Sequence, residues 1–143
     1  MRLDPGEPQV KLRGDYQTVV TRPSRLVYGG DRVGSLQVVS TPGHTPGHIA
    51  LFDPRDGTLI AGDTFQTRAG VAVSGTVRLL FPFPALATWS RPLALTSARK
   101  LRALQPSRLA VGHGEVLEQP LVKIDHAIAI AAHKLGELQP HGA

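Results

Sequence analysis

The sequence predicts an α/β fold of the α+β kind, a mainly antiparallel sheet with two helices on one face. Three observations support this prediction: short alternating or β-branched segments between Gly and Pro turns, two amphipathic helical patterns, and the element order β-β-β-α-β-α. The chain of 143 residues is 41% hydrophobic and 19% charged, which is the size and composition of one globular domain.

The first three elements are strands, predicted at residues 34–40, 49–53 and 58–61. Pro42 and Gly43 end the first strand, and a turn at residues 54–57 joins the last two into a β-meander. The preceding residues 1–30 are rich in Pro, Gly and Arg, and we expect them to be irregular.

A long connection and two helices follow. Residues 64–88 carry few helix or strand signals, as in functional lids or disordered loops. Pro92 can start an amphipathic helix that Pro106 stops, residues 108–111 form a buried strand, and Pro120 opens a last helix. The inward positions of the two helices are Leu93, Ser97, Leu101 and Leu104, and then Leu121, Ile124, Ile128, Ala131, Leu135 and Leu138.

Composition excludes several classes of protein. No apolar run approaches the roughly 18 residues of a membrane-spanning helix, and no apolar segment follows the basic start as in a secretory signal. We therefore expect a soluble, cytoplasmic protein. Zero cysteines exclude disulfides, thiolate metal sites and a cysteine nucleophile, so that any metal must be held by His and carboxylate.

The net charge of +5 raises the alternative of a nucleic-acid-binding domain. The basic residues are mostly single arginines, however, and the densest cluster is Arg99, Lys100 and Arg102 on a predicted helix. Binding modules usually gather basic groups into a stripe, so a solvated face is the favoured interpretation and nucleic acid a minor alternative.

Candidate metal ligands directly follow three predicted strands: His44, Asp63 and His113. Adjacent strands of one sheet would bring these ends together at a single edge. Imidazole and carboxylate suit Zn²⁺, Fe or Mn. Taken singly, such a His is more often a turn residue and such an Asp more often a cap. Glycines beside them permit sharp turns or close approach: Gly43, Gly62, Gly112 and Gly114.

Three sequence segments taken together are more specific evidence than any single residue. The chain contains, in this order, TPGHTPGH at residues 41–48, AGDTF at 61–65 and VGHG at 111–114. Together these segments resemble the third, fourth and fifth motifs of the metallo-β-lactamase-fold hydrolases. The resemblance covers residues 30 to 118.

The resemblance implies the second half of an αββα sandwich and part of a dinuclear metal site, with two Zn²⁺ per intact site, or Fe or Mn. His44 and His113 would be metal ligands, and Asp63 the bridging and catalytic carboxylate. His48 would support the loop, together with Gly43, Gly62 and Gly112. In the intact family a metal-activated hydroxide hydrolyses an ester, thioester, amide or phosphoester. No organic cofactor is implied.

One part of the family pattern is missing. The family has an earlier His-x-His-x-Asp-His motif, whereas none of the 6 histidines here precedes His44. Each metal would keep one histidine and the shared aspartate, fewer than the usual three or four protein ligands. His126 and His133 fall on a solvated helix face and His141 in a fraying tail, so they do not compensate. We therefore expect impaired or no activity from this chain alone.

The predicted organisation is a single partial domain over residues 1–143, with a motif-bearing sheet region at 31–118 and a C-terminal helix at 119–139. A lone half-sandwich leaves a sheet face uncovered, which predicts a homodimer or a complementary chain. A symmetric dimer would not restore the ligands, because both copies lack the same motif. An internal Met1 of a longer reading frame, or a decayed gene, is favoured over a purposeful half-enzyme.

Three hypotheses follow: a metallo-hydrolase with an unknown small-molecule substrate, a non-catalytic remnant or interaction module, and a nucleic-acid-binding domain. The sequence leaves the substrate open. An aromatic set could line an apolar pocket, although core packing is at least as well supported. Its members are Phe65, Phe81, Phe83 and Trp89.

Overall fold

A six-stranded sheet with two helices packed on it forms the main body of the computed structural model, which describes residues 20–77 and 86–136. The strands are β1 Arg32–Val33, β2 Leu36–Ser40, β3 Ile49–Asp53, β4 Thr58–Ile60, β5 Phe65–Gln66, β6 Ala72–Val73, β7 Arg108–Ala110 and β8 Leu117–Glu118. The helices are α1 Arg91–Ala103 and α2 Leu121–Lys134, and a short 3-10 helix spans Gly62–Thr64.

The sheet order determines which strand ends meet. It runs β1-β2-β3-β4-β7-β8, and β5 pairs only with β6 in a separate ribbon. All neighbours are antiparallel except β4 and β7, which are parallel. Because β3 is antiparallel to both β2 and β4, the strands β2, β4 and β7 run in the same direction and end at the same edge of the sheet.

One face of the sheet is covered by the two helices. Leu59 pairs with Phe52 on one side and with Leu109 on the other, and this row packs against the helices. The core is formed where both helices meet that face, around the fully buried Leu95, Leu101 and Ile124. The predicted antiparallel sheet with two helices on one face is therefore confirmed.

The observed strands match the predicted ones with small differences at their ends, and short additional strands pair beside them. The first strand begins at Leu36 rather than residue 34, because Gly34 adopts a φ of +61° in the turn that connects β1 to β2. Two further strands in this sheet were not predicted: β1 and β8 are two residues long and are defined by their pairing with β2 and β7.

The connection at residues 64–88 is more ordered than predicted where the structure describes it. It contains the β5–β6 ribbon, in which Phe65 pairs with Val73. Phe65 and Trp89 are buried in the core, which agrees with the core-packing interpretation of the aromatic set. Phe81 and Phe83 lie outside the described residues.

The helix boundaries differ slightly from the predicted ones. The first helix begins at Arg91 with Pro92 in its first turn, and it ends at Ala103. The last helix ends at Lys134 rather than at residue 139, since Gly136 adopts a φ of +77°. Residues 1–19 and 137–143, with His141 among them, lie outside the described part. No helix in the described ranges has the length and apolar character of a membrane span.

Candidate metal centre

The three predicted ligands meet at the edge where β2, β4 and β7 end. The Nε2 atom of His44 lies 3.6 Å from Oδ2 of Asp63. The Nε2 atom of His113 lies 3.7 Å from Oδ1 of the same carboxylate. Each carboxylate oxygen therefore faces one imidazole, as in a bridge between two positions.

These separations are too long for direct hydrogen bonds and suit a shared cation better. A tetrahedral cation at about 2.0–2.1 Å from nitrogen and about 2.0–2.2 Å from oxygen separates the two ligand atoms by about 3.4 Å. The observed 3.6 and 3.7 Å are close to that value. The donor set and its spacing thus fit divalent cations on either side of Asp63.

The carboxylate also has an unsatisfied atom. Oδ1 of Asp63 is buried and has no hydrogen-bond partner. A buried acceptor without a partner costs about 1–3 kcal/mol, and more when it is charged. A cation between this oxygen and His113 would remove that cost.

The ligand loop that carries His44 is attached to the start of α1. The backbone N–H of Trp89 donates to the His44 carbonyl at 3.0 Å, and that of Ser90 donates to the Gly43 carbonyl at 2.8 Å. The Oγ of Ser97 donates to the Pro42 carbonyl at 2.7 Å. Ser97 was predicted as an inward position of this helix, and its hydroxyl serves as a polar attachment for the loop.

The imidazole of His44 is held by a hydroxyl chain that the sequence did not reveal. Its Nδ1 lies 3.1 Å from Oγ of Ser74, and that oxygen lies 2.8 Å from Oγ1 of Thr88. The contact to the other ring nitrogen directs Nε2 toward Asp63, as outer hydrogen bonds commonly do for metal-binding histidines. Ser74 is remote from His44 in sequence and belongs to no motif, so no sequence signal could have identified it.

His48 connects two ligand loops. Its Nε2 accepts a hydrogen bond from the backbone N–H of Asp63 at 3.0 Å, and its Nδ1 lies 2.8 Å from Oγ1 of Thr41. Since Nε2 accepts, the ring proton is on Nδ1. Burial lowers the pKa of His48 below 6.5, against an opposing effect of the Asp63 carboxylate. The ring is therefore neutral near pH 7 and orients the Asp63 loop.

Glycines are needed where the loops approach each other. A Cβ at Gly112 would overlap Oδ1 of Asp63. At Gly62, φ is +53° and a Cβ would lie 2.8 Å from Nε2 of His48. A Cβ at Gly43 would collide with the backbone of α1. Each of the three supporting glycines thus occupies a position where a side chain would displace a ligand or its support.

The ligand set is incomplete for either cation. Across residues 20–77 and 86–136, no group of three or more His, Cys, Asp or Glu side chains is placed to hold one ion. Each side of Asp63 has one histidine and one carboxylate oxygen from this set. His126 and His133 are exposed on α2, as the helical pattern predicted.

The basic residues near α1 are engaged individually. Arg102 forms a bidentate pair with Asp125, at 2.6 and 2.8 Å. Lys100 donates from Nζ to the Ser40 carbonyl at 3.1 Å. These two members of the predicted basic cluster therefore have partners within the chain.

Comparison with known proteins gives one consistent result. A family model described as the metallo-beta-lactamase superfamily matches residues 5–113. The chain is 49% identical over 123 residues to the uncharacterised protein YobT of Bacillus subtilis, a match that covers 85% of this chain and 53% of YobT. It is 37% identical over 101 residues to a hydroxyacylglutathione hydrolase of Rhodospirillum rubrum, covering 67% of this chain and 34% of that protein.

Solved structures of similar fold include a metallo-beta-lactamase family protein, TTHA1429 from Thermus thermophilus. Its TM-score is 0.58 at 26% identity, covering 82% of this chain and 38% of that one. A di-iron-bound form of TTHA1623 has a TM-score of 0.52 at 29% identity, covering 71% of this chain and 46% of that one. The chain spans about half the length of YobT, and about a third of the hydroxyacylglutathione hydrolase.

Proposed function

The chain belongs to the metallo-β-lactamase superfamily, and from this premise we propose that His44, Asp63 and His113 bind divalent cations in a metal-dependent hydrolase site. One observation carries the proposal: the two oxygens of Asp63 face the Nε2 atoms of two different histidines, at 3.6 and 3.7 Å. A capping aspartate would instead hold its partners at hydrogen-bond distance.

When bound, a pair of such cations would supply water activation and stabilisation of developing negative charge. The chain's own residues prepare the place for this chemistry. Ser74 orients His44, and His48 holds the backbone of Asp63, so that little reorganisation is needed when a cation arrives. The bare backbone of Gly112 leaves the carboxylate free to reach between the two histidines.

Zn²⁺ is the cation we propose first, because two imidazoles and a carboxylate are its common ligands. The same ligands also suit Fe or Mn. The di-iron-bound form of TTHA1623 supports iron as the alternative.

We propose that a small-molecule substrate lies beside His113. A cavity of about 440 Å³ there is lined by Thr67, Arg68, Ala69, Gly114 and Glu115. A second cavity of about 550 Å³ shares Thr67 and has a mainly apolar wall. Both volumes are within the usual range for ligand pockets, about 300–1,000 Å³. Similarity to a hydroxyacylglutathione hydrolase supports an acyl group as the scissile part, with the amide and phosphoester classes as alternatives.

We further propose that the sheet face away from the helices is covered by a complementary sheet or by a second copy of the chain. The cross-strand row on that face consists of Val38, Leu51, Ile60 and Ala110. Ile60 is the exposed member of this row, at 41%, whereas Leu51 and Ala110 are half-buried and Val38 is buried. Of the two, a complementary sheet is favoured, because it could also supply further ligands.

The alternative of a non-catalytic remnant or interaction module has one observation in its favour, the absence of a third His, Cys, Asp or Glu ligand on either side of Asp63 in the described ranges. We therefore expect weak cation binding and impaired hydrolysis from the 143-residue chain by itself.

Elemental analysis of the purified chain tests the proposal. We expect metal in the wild type and its loss in the double variant His44→Ala/Asp63→Ala, with His133→Ala on the exposed face of α2 as the matched control. Metal at the same level in all three proteins, or in none, would exclude this site. A panel of chromogenic ester, thioester and phosphodiester substrates would then identify the reaction class.

A further inference from the structure

A buried glutamine next to the metal centre has an unsatisfied oxygen. Gln66 is the last residue of β5 and is only 4% exposed. Its Oε1 atom is buried and has no hydrogen-bond partner. Burying an amide without a partner is costly, so a residue that only filled space here would be better replaced by an apolar one.

One small cavity is lined by both residues of the described chain that carry a buried unsatisfied side-chain oxygen. Gln66 lines it together with Asp63 and His113, and Ser74 and Thr76 are also among its lining residues. The cavity has a volume of about 10 Å³. That is about the space of one water molecule or one ion. The other unsatisfied atom, Oδ1 of Asp63, is the oxygen that faces His113.

Two acceptor oxygens cannot satisfy each other. They can share a cation, which takes a lone pair from each, or a hydrogen-bond donor placed between them. The Nε2 atom of His113 lies 3.7 Å from Oδ1 of Asp63, too far for a hydrogen bond, and this separation favours a cation over a hydrogen-bond donor. An uncharged amide oxygen is moreover an ordinary ligand for divalent cations.

We propose that the Gln66 amide oxygen is a third protein ligand of the divalent cation held by Asp63 Oδ1 and His113. The inference rests on the proposed function, and it extends the ligand set beyond His and carboxylate. With Gln66, this cation position has three protein ligands, the number usual in catalytic zinc sites. An added oxygen also shifts the preference of the position toward harder cations such as Mn²⁺.

Two substitutions separate the effect of the amide oxygen on cation binding from the effect of the side-chain volume. Gln66→Met keeps a similar length and removes the oxygen, and Gln66→Glu keeps an oxygen and adds charge. Mn²⁺ and Zn²⁺ affinities of the 143-residue chain would be measured by calorimetry with metal-free protein. We expect Gln66→Met to weaken Mn²⁺ binding on the order of tenfold or more and Zn²⁺ binding less. Gln66→Glu should bind Mn²⁺ at least as tightly as the wild type.

The melting temperature of the metal-free protein is a second readout. Gln66→Met removes an unsatisfied acceptor, so its melting temperature should rise by a few degrees. A glutamine that donates its amide N–H to Asp63 would behave in the opposite way: Gln66→Met would melt lower, and Gln66→Glu would bind cations more weakly by removing that donor.

The possible failures are distinguishable. If the wild type binds neither cation, the proposed function and this inference both fail. If the wild type binds Mn²⁺ and Gln66→Met binds it equally well, only the role of Gln66 is refuted. Should Gln66→Met not fold, weaker Mn²⁺ binding by Gln66→Glu refutes it, and tighter binding supports it.

Discussion

Replacing His48 by alanine tests how the loops of the candidate metal centre are held. The substitution removes the acceptor for the Asp63 backbone N–H, at 3.0 Å, and the partner of Thr41 Oγ1, at 2.8 Å. Each hydrogen bond contributes about 1 kcal/mol net, and a donor left unsatisfied costs about 1–3 kcal/mol where it is fully buried. Because this region is only partly buried, we expect a total loss of about 2 kcal/mol.

That loss corresponds to a change of about 30-fold in the unfolding equilibrium constant and a fall in melting temperature of about 6 °C for a chain of this size. Chemical denaturation with metal-free protein measures the free energy, and calorimetry measures the melting temperature. His48→Gln is the matched control, since its amide oxygen can still accept from the Asp63 N–H, and it should recover part of the loss.

The same variant has a functional consequence. Without His48 the Asp63 loop is free to move, so that the metal content should fall even though no proposed ligand has been changed. A His48→Ala protein with wild-type stability and wild-type metal content would refute the argument that this ring positions the carboxylate.

Three further predictions concern other parts of the chain. Gly112→Ala places a Cβ on Oδ1 of Asp63, so metal content should fall toward that of the ligand variants while circular dichroism stays native; unchanged metal would contradict this. The Arg55 side chain lowers the pKa of Asp53 from 3.8 to about 2, so stability from the ionised carboxylate is present above pH 3.8 and is lost as pH falls toward 2. Melting temperatures of Asp53→Asn should therefore fall less than those of the wild type between pH 4 and pH 2; parallel curves would contradict this. Ile60→Asp should weaken any self-association or partner binding through the open sheet face, measured by light scattering, and an unchanged mass in an associating sample would reject that face as the interface.

The edge that carries the candidate centre could be predicted from sequence because its signals are local. Alternating residues followed by glycine mark the strand ends, and His44, Asp63 and His113 each follow one of them. The structure brings these side chains together since β2, β4 and β7 run in the same direction. The local sequence motifs and the observed strand order therefore identify the same three residues.

Other parts of the site could not be predicted because they depend on contacts distant in sequence. Ser74 contacts His44 only in the folded chain, where it follows the β5–β6 ribbon. Gln66 becomes a candidate ligand only through the cavity that it lines together with Asp63. The short strands β1 and β8 likewise have no periodicity of their own, since two residues are too few for one.

The parallel pairing of β4 with β7 has a consequence for folding kinetics. These strands are neighbours in space, whereas a ribbon and a helix separate them along the chain, so their pairing closes a long loop. Asp63 and His113 follow these two strands, and a cation can bind both only after the loop has closed. Binding that requires a late contact slows unfolding more than it speeds folding. A cation held by Asp63 and His113, as proposed, would therefore act mainly by slowing unfolding and would lengthen the lifetime of the folded state.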